Sequence, residues 1–146
     1  MTTHDTAEEK AVHQRIEELV AGICSMDIDA LKTIYAADVI SFDVEPPLQH
    51  VGLRAKMDNW VRAFAAFQKL DYEIRNLSVT AGDDVAFGHG FGRLSGTLRN
   101  GVATNGMWVR ATFCLLKVDG AWKIVHDQAS VPFDVVHGTA VTDLTP

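Results

Sequence analysis

Residues 108–131 read WVRATFCLLKV, then Asp119-Gly120, then AWKIVHDQASV. Two runs rich in β-branched and aromatic residues, joined by a dipeptide that tolerates positive φ, form the pattern of a β-hairpin. Moving back toward the N-terminus, Val85, Phe87 and Phe91 mark a third run, and Tyr72, Ile74, Leu77 and Val79 a fourth. Gly82-Asp83 and Asn100-Gly101 supply turn chemistry between the runs. Four long antiparallel strands therefore follow one another with no helical period between them.

Upstream of Leu70 the period is that of helices. Val12, Ile16, Leu19, Val20 and Ile23 form one apolar stripe, with Glu9, Arg15, Glu17 and Glu18 opposite. Asp27 is the expected N-cap of a shorter helix carrying Leu31, Ile34 and Tyr35. Val39 to Phe42 reads as a strand that ends at Asp43 and the rigid loop of Glu45, Pro46 and Pro47. Leu53, Met57, Trp60, Val61, Phe64 and Phe67 make a third helical stripe. Three helices and one strand followed by four antiparallel strands specify an α+β domain. Residues after about Asp134 lack periodicity and read as a loose tail.

At 146 residues, 47% hydrophobic and 22% charged, the chain is expected to form one domain. A net charge of −6 without a basic cluster argues against nucleic acid and against an anionic membrane as partner. The densest basic stretch, Arg54, Lys56 and Arg62, is interrupted by Asp58 and reads as a solvated helix face. Cys24 and Cys114 stand far apart, as reduced thiols do, and Met1 to Lys10 is polar, so a cytoplasmic location is expected. Six histidines offer no paired spacing, so neither metal nor cofactor is expected. Gly88, Gly90, Gly92 and Gly96 share one strand face. They are not the Gly-x-Gly-x-x-Gly of a dinucleotide loop and are expected to permit bending or the close approach of a helix.

Several segments together resemble the SnoaL-like and ketosteroid-isomerase-like domains of the nuclear-transport-factor-two-like superfamily. They are Met26-Asp27-Ile28-Asp29-Ala30-Leu31, Tyr35-Ala36-Ala37-Asp38 closing helix two, Val39-Ile40-Ser41-Phe42-Asp43, and Asp119 to Asp127 running on to Ser130-Val131-Pro132. The likeness spans roughly residues 8 to 133. It implies a cone-shaped α+β barrel in which three N-terminal helices pack on a strongly curved, mostly antiparallel sheet. It also implies a pocket for a small hydrophobic or amphipathic molecule, and a homodimer. Asp43 falls where the steroid isomerases carry their general base. Leu19, and the neighbourhood of Thr112, Phe113 and Cys114, stand where those enzymes place the tyrosine and the protonated acid of their oxyanion hole.

The candidate site residues follow. A carboxylate at Asp43 among Phe42, Pro46 and Pro47 would lose solvation, which favours a base; the alternative is an aspartate that caps the proline loop. Strict alternation on the last strand puts His126, Gln128 and Ser130 on the inner face, where His126 is an acid, a base or a core histidine satisfied by a carbonyl. The adjacent strand puts Trp108, Arg110 and Thr112 on one face, with Arg110 an anchor for substrate oxygen, a partner of Asp43, or a surface residue. Trp60 is core or the floor of the pocket. Val109, Ala111, Phe113, Leu115, Val125 and Val131 would then form an apolar outer face, the expected dimer surface. Two readings stand: proton transfer beside a carbonyl by an isomerase, cyclase or lyase, or a non-catalytic ligand-binding or subunit-association module.

Overall fold

Thr6 opens the first helix through a capping box: its hydroxyl accepts the Glu9 amide at 3.1 Å, and the Glu9 carboxylate accepts the Thr6 amide at 3.3 Å. The structure, a computed structural model, describes residues 6–146. The start of the polar lead, residues 1–5, lies outside the described residues. Helix α1 (Ala7–Cys24) buries Val12, Ile16, Leu19 and Ile23. Helix α2 (Ile28–Ile34) is capped by Asp27, whose carboxylate accepts the Ala30 amide at 3.0 Å. Tyr35 to Asp38, expected to close that helix, instead opens strand β1 (Tyr35–Phe42). After β2 (His50–Val51) comes helix α3 (Leu53–Ala65), then the strands β3 (Phe67–Ala81), β4 (Val85–Leu98), β5 (Ala103–Thr104), β6 (Trp108–Val118) and β7 (Ala121–Ser130).

The seven strands form one sheet in the order β2-β1-β7-β6-β4-β3, with β5 added beside β4. Its pairs are antiparallel except β1 with β7, which run parallel, with β2 and α3 standing between β1 and the later strands in the chain. The fold is α+β, with a curved sheet that stays open rather than closing into a barrel, since β2 and β3 are its ends. A short hairpin, β8 (Phe133–Asp134) with β9 (Thr139–Ala140), replaces the expected loose tail at residues 133–140. Asp134 organises its turn by accepting the Val136 and His137 amides.

Two register details decide which side chains face inward. On β6 and β7, Leu115 pairs with Ile124 but Cys114 pairs with His126, so Val125 is an extra residue, a β-bulge. The bulge inverts the alternation along the rest of β7. Gly88, Gly90 and Gly92 lie on the concave side: a Cβ on Gly88 would sit 3.5 Å from Ile16 Cδ1 of α1, and one on Gly92 only 2.6 Å from the Tyr72 hydroxyl. Strand pairing puts Gly92 beside Val109, Gly90 beside Ala111 and Ala129, and Gly88 beside Phe113 and Asp127. These residues form the concave face, which corrects the expectation that Val109, Ala111, Phe113 and Leu115 face outward. A sheet that closes over helices needs small residues on its crowded side, and the glycines mark that side.

Candidate functional site

Between the concave face and the helices lies a cavity of about 570 Å³, within the usual size range of small-molecule sites. Leu19 and Ile23 of α1, Phe67 of β3, Leu94 of β4, and Val109, Ala111 and Phe113 of β6 make its apolar wall. Polar groups come from α3 and from the ends of β1 and β7. On α3, Lys56, Asn59, Trp60 and Ala63 recur at the spacing of one helix face, so all four line the cavity. This corrects the reading of Lys56 as part of a solvated face: it is 5% exposed.

Burying an ammonium requires partners. Lys56 Nζ lies 3.0 Å from Asp127 Oδ2 and donates to Ser41 Oγ at 2.9 Å, while Ser41 Oγ donates to Asp127 Oδ1. The same ammonium stands over the rings of Tyr35 and Trp60, 5.4 and 5.5 Å from their centroids, an arrangement that stabilises a poorly solvated cation. Asp127 faces inward only because of the Val125 bulge. Without it the aspartate would point to the convex side and Lys56 would lose its counter-ion.

Asp43 follows β1 and borders the cavity, half-buried. Its Oδ2 accepts Asn59 Nδ2 at 2.6 Å and its Oδ1 accepts the Val44 amide at 2.7 Å, so one carboxylate both caps the loop and faces the cavity. Two tyrosines complete the polar lining. Trp60 Nε1 donates to the Tyr35 hydroxyl at 3.3 Å, and the Tyr72 hydroxyl lies over the bare backbone of Gly92. Burial first, then the nearby Asp127 charge, hold both phenols well above their ordinary titration range. They stay protonated and remain hydrogen-bond donors at neutral pH.

Of the residues expected at a site, Asp43 and Trp60 meet at this cavity, and Gln128 borders it. His126 does not line it. Its Nδ1 bonds the Ile40 carbonyl at 2.7 Å and its ring meets Phe42 edge-on at 4.6 Å, on the convex side of the bulge. Arg110 and Ser130 pair with each other there, Nε to Oγ at 3.1 Å, and Arg110 also reaches the Val131 carbonyl. Thr112 shares that convex row. Trp108 lies under the guanidiniums of Arg75 and Arg93, 4.5 and 4.7 Å from its ring, and it too stays outside the cavity. The residues not foreseen are Lys56, Asn59, Tyr35, Tyr72, Asp127 and Ser41. For two of them a signal existed: Lys56 and Asn59 fall on one helix face with Trp60. Among the described residues no cluster of His, Cys, Asp or Glu could hold a metal ion.

A solved NTF2-like protein of unknown function from Pseudomonas putida KT2440 superposes with a TM-score of 0.87 at 28% identity, covering 99% of this chain and 100% of that one. An NTF2-like superfamily protein from Salmonella enterica gives 0.77 at 16% identity, over 91% and 96%. A ketosteroid isomerase-like protein from Erwinia carotovora gives 0.72 at 21% identity, over 86% and 97%. At these last two identities the likeness is one of fold. No curated protein matches the chain. Residues 12–134 match the SnoaL-like domain, so with its helix-lined cavity and open curved sheet this chain belongs to the SnoaL-like domain family.

Proposed function

We propose that the cavity binds a small, mostly apolar carbonyl compound and moves a proton beside the carbonyl, with Asp43 as the base. The observation that carries this reading is the meeting, in one apolar cavity, of the Asp43 carboxylate with the protonated hydroxyls of Tyr35 and Tyr72. A carbon-bound proton passes to a carboxylate oxygen of Asp43, the electron pair of that C–H bond becomes the C=C bond of an enolate, and the π pair of the C=O bond moves to the oxygen. The tyrosines donate hydrogen bonds to the charge that forms there. Returning the proton to another carbon completes an isomerisation; expelling a leaving group completes a lyase step. His126, bonded to Ile40 on the convex side, has no part in this chemistry.

The test is exchange of the α-protons of 2-tetralone for deuterium, followed by NMR in heavy water. Asp43→Asn is expected to slow exchange by roughly 10²–10⁴-fold, the usual worth of a positioned base. An equal rate in that variant rejects the catalytic reading, and 2-tetralone still binding in the cavity would then leave a ligand-binding module.

We also propose that two copies associate through the convex face, where Phe42, Phe87 and Leu116 are 40%, 48% and 40% exposed. Unpaired Cys24 and Cys114 fit a reducing cytoplasm. No helix among the described residues is long and apolar enough to cross a membrane.

A further inference from the structure

The proton transfer just proposed leaves one group without a role. Lys56 has an ammonium with three N–H donors, of which Ser41 and Asp127 take two. The nitrogen also stands over the rings of Tyr35 and Trp60 and lines the cavity. Beside it, the Tyr35 oxygen already accepts the Trp60 N–H, so its own proton needs an acceptor, and none lies among the described residues. The ammonium over the Tyr35 ring and the Tyr35 hydroxyl thus line one apolar cavity, and neither the third ammonium N–H nor the phenol donates a hydrogen bond to another described residue.

We propose that Lys56 and Tyr35 together bind the carbonyl oxygen of the substrate and stabilise the enolate that forms on it, which makes Lys56 a catalytic residue and an enolisable, otherwise apolar carbonyl compound its substrate class. This rests on the proposed proton transfer by Asp43. The charges balance. Before transfer, Asp43 and Asp127 are carboxylates, Lys56 is an ammonium paired with Asp127, and the carbonyl is neutral. Afterwards Asp43 holds the proton and is neutral, and the negative charge sits on the oxygen beside Lys56. The cavity neither gains nor loses charge. Asp127 remains the standing counter-ion of Lys56, and Ser41 and Asp127 hold the ammonium in place so that its third N–H is aimed before the substrate arrives. Arg62 of α3 and Glu45 also border the cavity and offset each other in formal charge.

The test uses 2-naphthol, a stable aromatic enol whose ionised and neutral forms differ in absorbance, bound to the Asp43→Asn chain, where the amide stands for the protonated base. Bound naphthol is expected to ionise at least about tenfold more readily, one pH unit lower, than when Lys56→Met and Asp127→Asn are added together. That double change removes one charge of each sign, so the net field is kept, and the amide that replaces the Asp127 carboxylate can still serve Ser41. Tyr35→Phe, which deletes only the hydroxyl, should shift the ionisation in the same direction. Naphthalene, which has no oxygen for Lys56 or Tyr35 to bind, should still bind in every variant and reports that the cavity is intact. Equal ionisation with and without Lys56 overturns the proposal, as does a parent chain that binds neither probe. Loss of 2-tetralone exchange in Asp43→Asn with naphthol ionisation indifferent to Lys56 would keep the base and discard the lysine.

Discussion

Lys56 is the residue whose surroundings depart furthest from what its side chain prefers, and the departure has a measurable cost. Lys56→Met leaves Asp127 a buried carboxylate with only the Ser41 hydroxyl, so unfolding in urea should show a loss of about 3–5 kcal/mol. Lys56→Met with Asp127→Asn should lose much less; equal losses would mean that the pair does not act as a unit. The tyrosines allow a second check, because Tyr35 and Tyr72 are the only two in the chain. Both are held above the ordinary phenol range by burial and by Asp127. The unfolded chain loses these protons near pH 10 while the folded chain keeps them, so stability is fully present below that pH and falls as pH rises past it. Tyrosinate absorbance should appear only as the chain unfolds in alkali. A titration near pH 10 with the fold intact would place a phenol in water.

Among the elements, α2 shows how a short helix depends on its end. Seven residues are too few for intrinsic helicity, and the Asp27 carboxylate on the Ala30 amide satisfies a donor that would otherwise be free. Asp27→Ala should cost about 1 kcal/mol in thermal or urea unfolding. On β4 the glycines are a requirement of packing. A Cβ on Gly90 would stand 2.8 Å from the Arg75 carbonyl at the bulge of β3, where backbone has to move. Gly90→Ala should therefore destabilise by about 1–3 kcal/mol, and a neutral result would show that the bulge can shift freely. The bulge at Val125 is the element feature with most consequence for the site, since it turns Asp127 toward Lys56 and His126 away.

In the whole molecule, α1 is tied to the far hairpin through Glu8, which accepts from Lys117 Nζ at 2.7 Å and Trp122 Nε1 at 2.9 Å. The Lys117 hydrogen bond, then that of Trp122, lower the pKa of its carboxyl. That contribution to stability is present above the ordinary carboxylate range and is lost as pH falls through the lowered folded value. The urea midpoint of the chain should thus exceed that of Glu8→Gln at pH 7, with the gap closing in acid. The convex face carries the self-association proposal: light scattering should give about twice the 16.0 kDa chain mass, and Phe87→Glu should return the monomer. The α+β order of elements was legible in the sequence because it depends on local periods, caps and turns: Asp27, the three apolar helix stripes and Asp119-Gly120 each act within a few residues. That Asp43 and Trp60 border the cavity was legible as well, one at a strand end and the other on an apolar stripe. Which face of each strand closes on the helices was decided only in the tertiary structure. Alternation defines two faces without naming the inner one, and a single extra residue at Val125 exchanges them. Lys56 belongs with that second group, because a lysine reads as solvated until its counter-ion arrives from a strand seventy-one positions away in the chain.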